Sequence, residues 1–358
     1  LVVWALERLE QAVPRQLGID DFLTEHQPDI LLVTPLIELG SPQLDYVRAA
    51  RALGIRSALC VWSWDHLSSK ALIRVVPDKL LVWNETQRDE ARRFHGSPPE
   101  RVIVTGAQCF DRWFDRRPSR NLAGFCARVG LPATAPFVLY VGSALFKGSP
   151  SEALFTARWA DAVRRSEHPQ RLDEWCAPEA VAALARAGVT VWGSNPVDPE
   201  SQADYFDSLH HAAAVVGLNT SALVEAAIVD RPVFTLLLPE FRENQEGTFH
   251  FHHLMTVGDG FLNAARSLDE HVTQLAAVLA DGAPVRANRP FVERFIRPRG
   301  VDVAATPVFV EALEQEVALG PPPPRPAPLW TLALRPLVYA LVLAGRVPMT
   351  EPALSGEF

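Results

Sequence analysis

The chain is poor in sulfur: its 358 residues include 4 cysteines and 2 methionines. Cys60, Cys109, Cys126 and Cys176 lie far apart and no two form a CxxC pair, which excludes a zinc knuckle and a disulfide framework. A reducing compartment, the cytoplasm, is therefore expected. Excess positive charge is lacking too. Against 34 Lys and Arg stand 42 Asp and Glu, a formal net charge of -8, so no broad cationic surface is offered to nucleic acid. No signal peptide is visible, and no apolar run reaches the ~20 residues that a membrane-spanning helix needs. What remains is a soluble globular composition, 48% hydrophobic and 21% charged, long enough for two domains. Small or carbohydrate-like molecules are the ligands such a chain implies.

Short apolar runs alternate with amphipathic stretches. Ile30–Val33, Ser57–Trp62, Lys79–Trp83 and Arg101–Thr105 read as strands, and Tyr46–Leu53 and Thr86–His95 as helices. Strands this short between helices indicate a parallel sheet covered on both faces. A second series opens after the Leu131–Pro136 linker with the strand Phe137–Val141. Helices follow over 152–165 and 178–187, then strands over 189–192, Ala213–Val216 and Val233–Leu238, with the helix Ala222–Val229 between the last two. The fold class is α/β, two doubly wound Rossmann-like halves, and ligands are expected in a cleft at the carboxyl ends of the strands. The expected domains are 1–132 and 133–320, the second closing with the helix Pro307–Ala318. Beyond them, Pro321–Pro328 reads as an extended linker. Leu329–Ala344 is an apolar helix that packs on the body or lies on a membrane surface, with Arg346 near its end.

The richest segment runs from Ala213 to Leu238. A buried strand reaches Gly217, a polar loop Asn219-Thr220-Ser221 follows, and a helix starts at once. Unpaired N–H groups and the partial positive charge at a helix start stabilise an anion such as a diphosphate. Thr220 and Ser221 offer hydroxyls for a phosphate oxygen or for a cap. Glu225, one turn on, offers a carboxylate for the hydroxyls of a ribose or simply a surface charge near Arg231. Gly142-Ser143, at the end of the second half's first strand, is a phosphate contact or a plain turn, with Lys147 adding charge.

This segment resembles the donor-binding motif shared by GT-B glycosyltransferases and the non-hydrolysing UDP-N-acetylglucosamine 2-epimerases. Asp230-Arg231-Pro232 and Val233 match its closing turn and strand. The resemblance implies a nucleotide-sugar donor, phosphate contacts at Asn219, Thr220 and Ser221, and ribose binding by Glu225. In the first half, Pro28-Asp29 with Ile30–Val33, Leu53-Gly54-Ile55-Arg56, Pro77-Asp78 with Lys79–Val82, and Arg101–Gly106 with Asp111 resemble epimerase segments in the same order. The resemblance spans roughly residues 28–280. It also implies an incomplete N-terminal domain, because only Leu1–Gln27, enough for one helix, precede the first matching strand.

The departures favour transfer over epimerisation. Where the epimerases carry an acidic-Ser-Gly-Gly loop, this chain has Asn219-Thr220-Ser221-Ala222. Where they carry HGDT and EAGLR, it has Thr34-Pro35-Leu36-Ile37-Glu38 and Val61-Trp62-Ser63-Trp64-Asp65-His66. A strand ending in Asp65, His66 and Lys70 supplies a general base for an acceptor hydroxyl and a cation for the diphosphate, and the two tryptophans are surfaces for a sugar ring. The bland alternative is core packing by Trp62 and Trp64 with Asp65 as a helix cap. Arg242, Gln245 and His250 are secondary site candidates, because the loop Glu240–Thr248 that follows the strand Val233–Leu238 corresponds to one that commonly reaches the donor sugar in GT-B enzymes. His250, His252 and His253 crowd together without a carboxylate or Cys at metal-ligand spacing. No Asp-x-Asp motif is present, so neither metal nor cofactor is expected. The expected acceptor is a carbohydrate or a lipid-linked sugar, with membrane-surface contact through the tail.

Overall fold

In the computed structural model, residues 2–38, 40–143, 145–164, 170–172, 190–193 and 196–344 are described. The chain forms two compact units. The first opens with two helices, α1 (Val2–Ala12) and α2 (Leu17–His26), where one was expected. Then strands and helices alternate: β1 (Ile30–Val33), α3 (Gln43–Leu53), β2 (Arg56–Cys60), α4 (His66–Ser69), β3 (Lys79–Val82), α5 (Glu85–His95) and β4 (Val102–Val104). The strands are parallel in the order β1-β2-β3-β4, Leu59 lying opposite Leu80 and Leu80 opposite Val102. Val33, Val47, Leu59, Leu80 and Val82 fill one face. Helix starts and stops follow side-chain chemistry: the Asn84 side chain accepts from Gln87 N at the head of α5, and Gly96 ends it at φ 61.

The second unit, Cys109–Ala304, begins with α6 (Asp111–Asp115) and α7 (Leu122–Val129). After these come β5 (Val138–Val141), α8 (Glu152–Arg164), β6 (Gln170–Leu172), β7 (Thr190–Val191), α9 (Pro199–His211), β8 (Ala214–Gly217) and α10 (Ser221–Ile228). It closes with β9 (Val233–Leu236), α11 (Phe249–Thr256), β10 (Asn263–Ala265) and α12 (Leu268–Asp281). Among the described residues its parallel strands run β10-β9-β8-β5-β6-β7. From β5 the chain winds outward to β7, then returns to β8 on the other side, so the order reverses between β5 and β8. Tyr140, Phe155, Trp159, Val216, Phe234 and Phe241 form its core. The expected helix over 178–187, Val189, Cys176 and Arg346 lie outside the described residues.

The boundary expected at 132 is corrected to Cys109, because α6 and α7 are bonded into the second unit. Arg297 pairs with Asp111 at 2.9 Å and lies 3.5 Å from the Phe114 ring. Asp207 accepts from Ser119 N at 2.7 Å and from Ser119 Oγ at 2.6 Å. Asp204 binds Arg128 and Arg120.

The chain then returns to the first unit, which corrects the assignment of Pro307–Ala318 to the second. Helix α13 (Ala305–Ala318) sets Ala312, Phe309 and Leu313 against Ala58 and Leu81 of the first sheet. Its Glu316 pairs with Arg56 at 3.2 Å and Lys79 at 3.1 Å. The proline-rich stretch is not a free linker: Arg325 N donates to Arg51 O at 2.9 Å, and Pro322 O lies 2.8 Å from where a Cβ on Gly54 would stand. That contact and φ 76 make a side chain at Gly54 costly. The last helix, α14 (Trp330–Leu343), packs along α1, and the Arg8 guanidinium sits 4.9 Å from the Trp330 ring. Among the described residues no helix is long and apolar enough to cross a membrane.

Candidate functional site

In the second unit, the loops after β5 and β8 flank the point where strand order reverses, the default ligand position of an open α/β sheet. One polar network joins them. Ser143 Oγ accepts from Asn219 N at 3.1 Å, and the Asn219 amide Nδ2 donates to Asn244 O and to His250 Nε2, the latter at 3.1 Å. Asn244 Oδ1 accepts from Phe146 N at 2.7 Å, and its Nδ2 donates to Ser149 Oγ at 2.8 Å. Asn219 Oδ1 is buried with no partner, an acceptor held in reserve. Gly142 is exposed and Lys147 lies exposed beyond it.

Helix α10 starts at this junction. Thr220 is its N-cap in extended conformation, and its hydroxyl accepts from Ala222 N at 3.5 Å. Ser221 is exposed at the first turn. Glu225 is half-buried rather than a free surface charge; it accepts from the Tyr205 hydroxyl, and burial pushes its carboxyl up to about 7. Gln245, fully buried, donates to Leu218 O and Thr235 Oγ1, both at 3.1 Å. It holds the loop to the sheet, so of the secondary candidates it is the one that braces. Arg242 is exposed and lines a separate cavity of about 570 Å³ with His252, Glu246 and Arg266. The three histidines sit on helix α11 and diverge. His250 meets Asn219, His252 Nε2 lies 3.0 Å from Glu246 O, and His253 packs 5.8 Å from the Phe295 ring. Among the described residues no group of three His, Cys, Asp or Glu is placed to hold a metal.

Two residues of this network were missed by the sequence reading. Glu152, at the head of α8, accepts from Tyr140 OH at 3.0 Å and from Ser143 N at 2.7 Å. Burial raises its carboxyl to about 7. Its only local signal is an acidic residue at a helix start, which fits any N-terminal turn. Asn244 lay within a stretch already singled out, but nothing in spacing distinguishes it from its neighbours. Because the Ser143 N–H is spent on Glu152, Ser143 acts on the loop geometry first.

In the first unit, the loop after β2 presents a different chemistry. Asp65 accepts from Ser63 Oγ and from Ser69 Oγ, the latter at 2.7 Å, and lies 3.8 Å from Lys70 Nζ. Its carboxylate makes no capping bond to a backbone N–H of α4, which sets aside the simple N-cap reading. His66 is fully buried, with Nε2 2.9 Å from Pro35 O and Nδ1 without a partner. Since a carbonyl can only accept, Nε2 carries the proton and the ring is neutral, its pKa lowered to about 4 by burial. His66 is thus closed off, whereas Asp65 is partly exposed. The tryptophans divide: Trp62 is 52% exposed, whereas Trp64 is buried.

No family model matches the chain, and no curated protein matches it. Solved structures do. A glycosyltransferase from Rickettsia africae matches at 10% identity, over 87% of this chain and 81% of that one, with a TM-score of 0.53. A UDP-GlcNAc 2-epimerase from Methanocaldococcus jannaschii matches at 14% identity, over 84% and 80%, with a TM-score of 0.52. The UDP-GlcNAc 2-epimerase from Neisseria meningitidis, solved bound to UDP-GlcNAc, matches at 12% over 83% and 79%, with a TM-score of 0.54. The chain has the GT-B fold that these enzymes share.

Proposed function

We propose that the chain is a glycosyltransferase that moves a sugar from a nucleotide-activated donor to a hydroxyl acceptor, in the assembly of bacterial surface polysaccharide. The carrying observation is the bond between Asn219 N and Ser143 Oγ, which ties together the two loops at the strand-order reversal beside the start of α10. In this reading the α10 N-terminus takes the diphosphate with Thr220 and Ser221, and Glu225 takes the ribose. Asp65 acts as the base that deprotonates the acceptor hydroxyl, with Lys70 as a cation beside it, and Trp62 stacks on the acceptor sugar. The acceptor is a carbohydrate or a lipid-linked sugar, and the enzyme works in the cytoplasm at the membrane face. No metal and no cofactor enters the reaction.

The test is incubation with UDP-, GDP-, CDP- and TDP-sugars, with and without a polysaccharide or lipid-linked acceptor. Transfer, or slow donor hydrolysis without acceptor, is the expected result. Interconversion of the free nucleotide sugar would make the chain an epimerase. Binding without turnover would make it a non-catalytic module of the same fold.

A further inference from the structure

At the amino ends of the first sheet's strands lies a cluster of arginines. Arg51, Arg74, Arg101 and Arg325 line one cavity of about 370 Å³ together with Val76. They come from the last turn of α3, the approach to β3, the approach to β4 and the stretch before α14, so the cavity lies at the amino ends of the strands. Everything proposed above for the first unit lies at the carboxyl ends.

Four guanidiniums in one cavity are not a random solvated face here. Arg51 and Arg101 are half-buried and aimed by the chain itself. Arg51 Nη2 donates to Val76 O at 2.6 Å, and Arg101 Nη1 reaches Val76 O at 3.4 Å and Pro77 O at 3.3 Å. Backbone anchors of this kind leave the remaining N–H groups preset. Among the described residues no carboxylate lines the cavity. Of the acidic groups that touch this part of the fold, Asp78 has its Oδ2 taken by Ser57 N and Ser57 Oγ, and Glu10 pairs with Arg74. Burial, together with Arg101 and Arg325, lowers the Arg51 pKa even against the pull of Asp78. Positive charge is therefore held close and partly out of water, a cost that a bound anion offsets. Arginine forks match the oxygens of phosphate in pairs.

We propose that this cavity binds a phosphate group. Two sources supply that chemistry: the headgroup of an anionic phospholipid and a soluble phosphate ester. The surroundings favour the lipid. Arg74 is paired to α1, and Arg325 stands just before α14. Along those two helices Val2, Trp4, Leu6, Leu332, Leu337 and Leu343 are all exposed. Apolar side chains beside a basic pocket suit the boundary between headgroups and acyl chains. The inference does not depend on the nucleotide-sugar reading, which concerns other loops.

The experiment uses the full chain, the double variant Arg74→Gln/Arg325→Gln, and a charge-matched control, Arg158→Gln/Arg289→Gln, all at exposed positions. Vesicles containing phosphatidylglycerol, vesicles of phosphatidylcholine alone, and inorganic pyrophosphate in solution are the probes, with melting temperatures confirming the fold. The expected result is partitioning onto phosphatidylglycerol vesicles that the double variant weakens by roughly tenfold or more, and the control far less. If vesicles are ignored but pyrophosphate binds and only the double variant loses it, the site stands and its ligand is soluble. Absence of binding in both arms, or equal loss in variant and control, overturns the proposal. Should the double variant melt early, Arg325→Gln alone repeats the test.

Discussion

Two carboxyls held protonated near neutrality make a stability prediction with a definite sign. Glu152 and Glu225 are each raised from an ordinary 4.5 to about 7, both chiefly by burial. Below 4.5 both states of the chain hold these protons and the groups contribute no pH dependence. Between 4.5 and 7 the unfolded chain has released protons that the folded chain still holds, so rising pH favours unfolding. Above 7 the folded chain carries the full penalty of two buried charges. At about 1.36 kcal/mol per pH unit, the upper limit is roughly 3 kcal/mol for each group. Both are only half-buried, so about 1–2 kcal/mol each is the expected size. Asp198, lowered by its bonds from Ser201, works the other way, with stability present above the ordinary carboxylate range and lost as pH falls. The assay is urea unfolding across this window for the wild-type chain and for Glu152→Gln/Glu225→Gln. The double variant should lose the decline seen in the wild type as pH rises. Identical slopes would refute the reasoning, because the penalty would then have to arise elsewhere.

Other outcomes are equally open to measurement. Glu225→Ala should weaken nucleotide-sugar binding about tenfold, as judged by calorimetry, through loss of hydrogen bonds to the donor. Asp65→Asn should lower the transfer rate by ~10²–10⁴-fold and leave donor affinity nearly unchanged, a split that kinetics and calorimetry together resolve. Arg297→Ala should destabilise the second unit by roughly 3 kcal/mol in denaturant unfolding, since it removes the ion pair with Asp111 and uncovers Phe114. A chain ending at Gly320 should still bind donor but melt earlier, because α14 no longer covers α1 and the bond from Arg325 N to Arg51 O is lost.

The strands were legible because each buried one is a short apolar run. Ile30–Val33 matches its expected bounds, and β3, β5 and β8 differ from theirs by a residue at one end or at each. β10 was missed: Asn263-Ala264-Ala265 is an edge strand with little apolar side chain to announce it. For α13 the amphipathic pattern was visible, but a pattern tells which face is buried and not which sheet receives it. The partner became plain only through Ala312 against Ala58 and Leu81, residues more than two hundred positions away. The same limit applied to the site. The loops were named from strand ends, and Asn219, Ser143 and His250 do meet there. Asn244 entered through bonds made across the fold, and Glu152 through bonds back to the strand and turn just before its helix, neither of which residue spacing encodes.

The return of the chain through α13 also has a bearing on its synthesis. One face of the first sheet stays bare from the completion of β4 until Ala305 and the residues after it emerge. At ~5–20 residues per second that interval is roughly 10–40 s, long compared with the folding of a small domain. The inserted unit can finish folding first, while Ala58, Leu81 and Ile103 wait uncovered on a ribosome-bound intermediate. A chaperone that shields apolar strands would find its natural client in that window, and a stall just before Ala305 would leave the chain at its most adhesive.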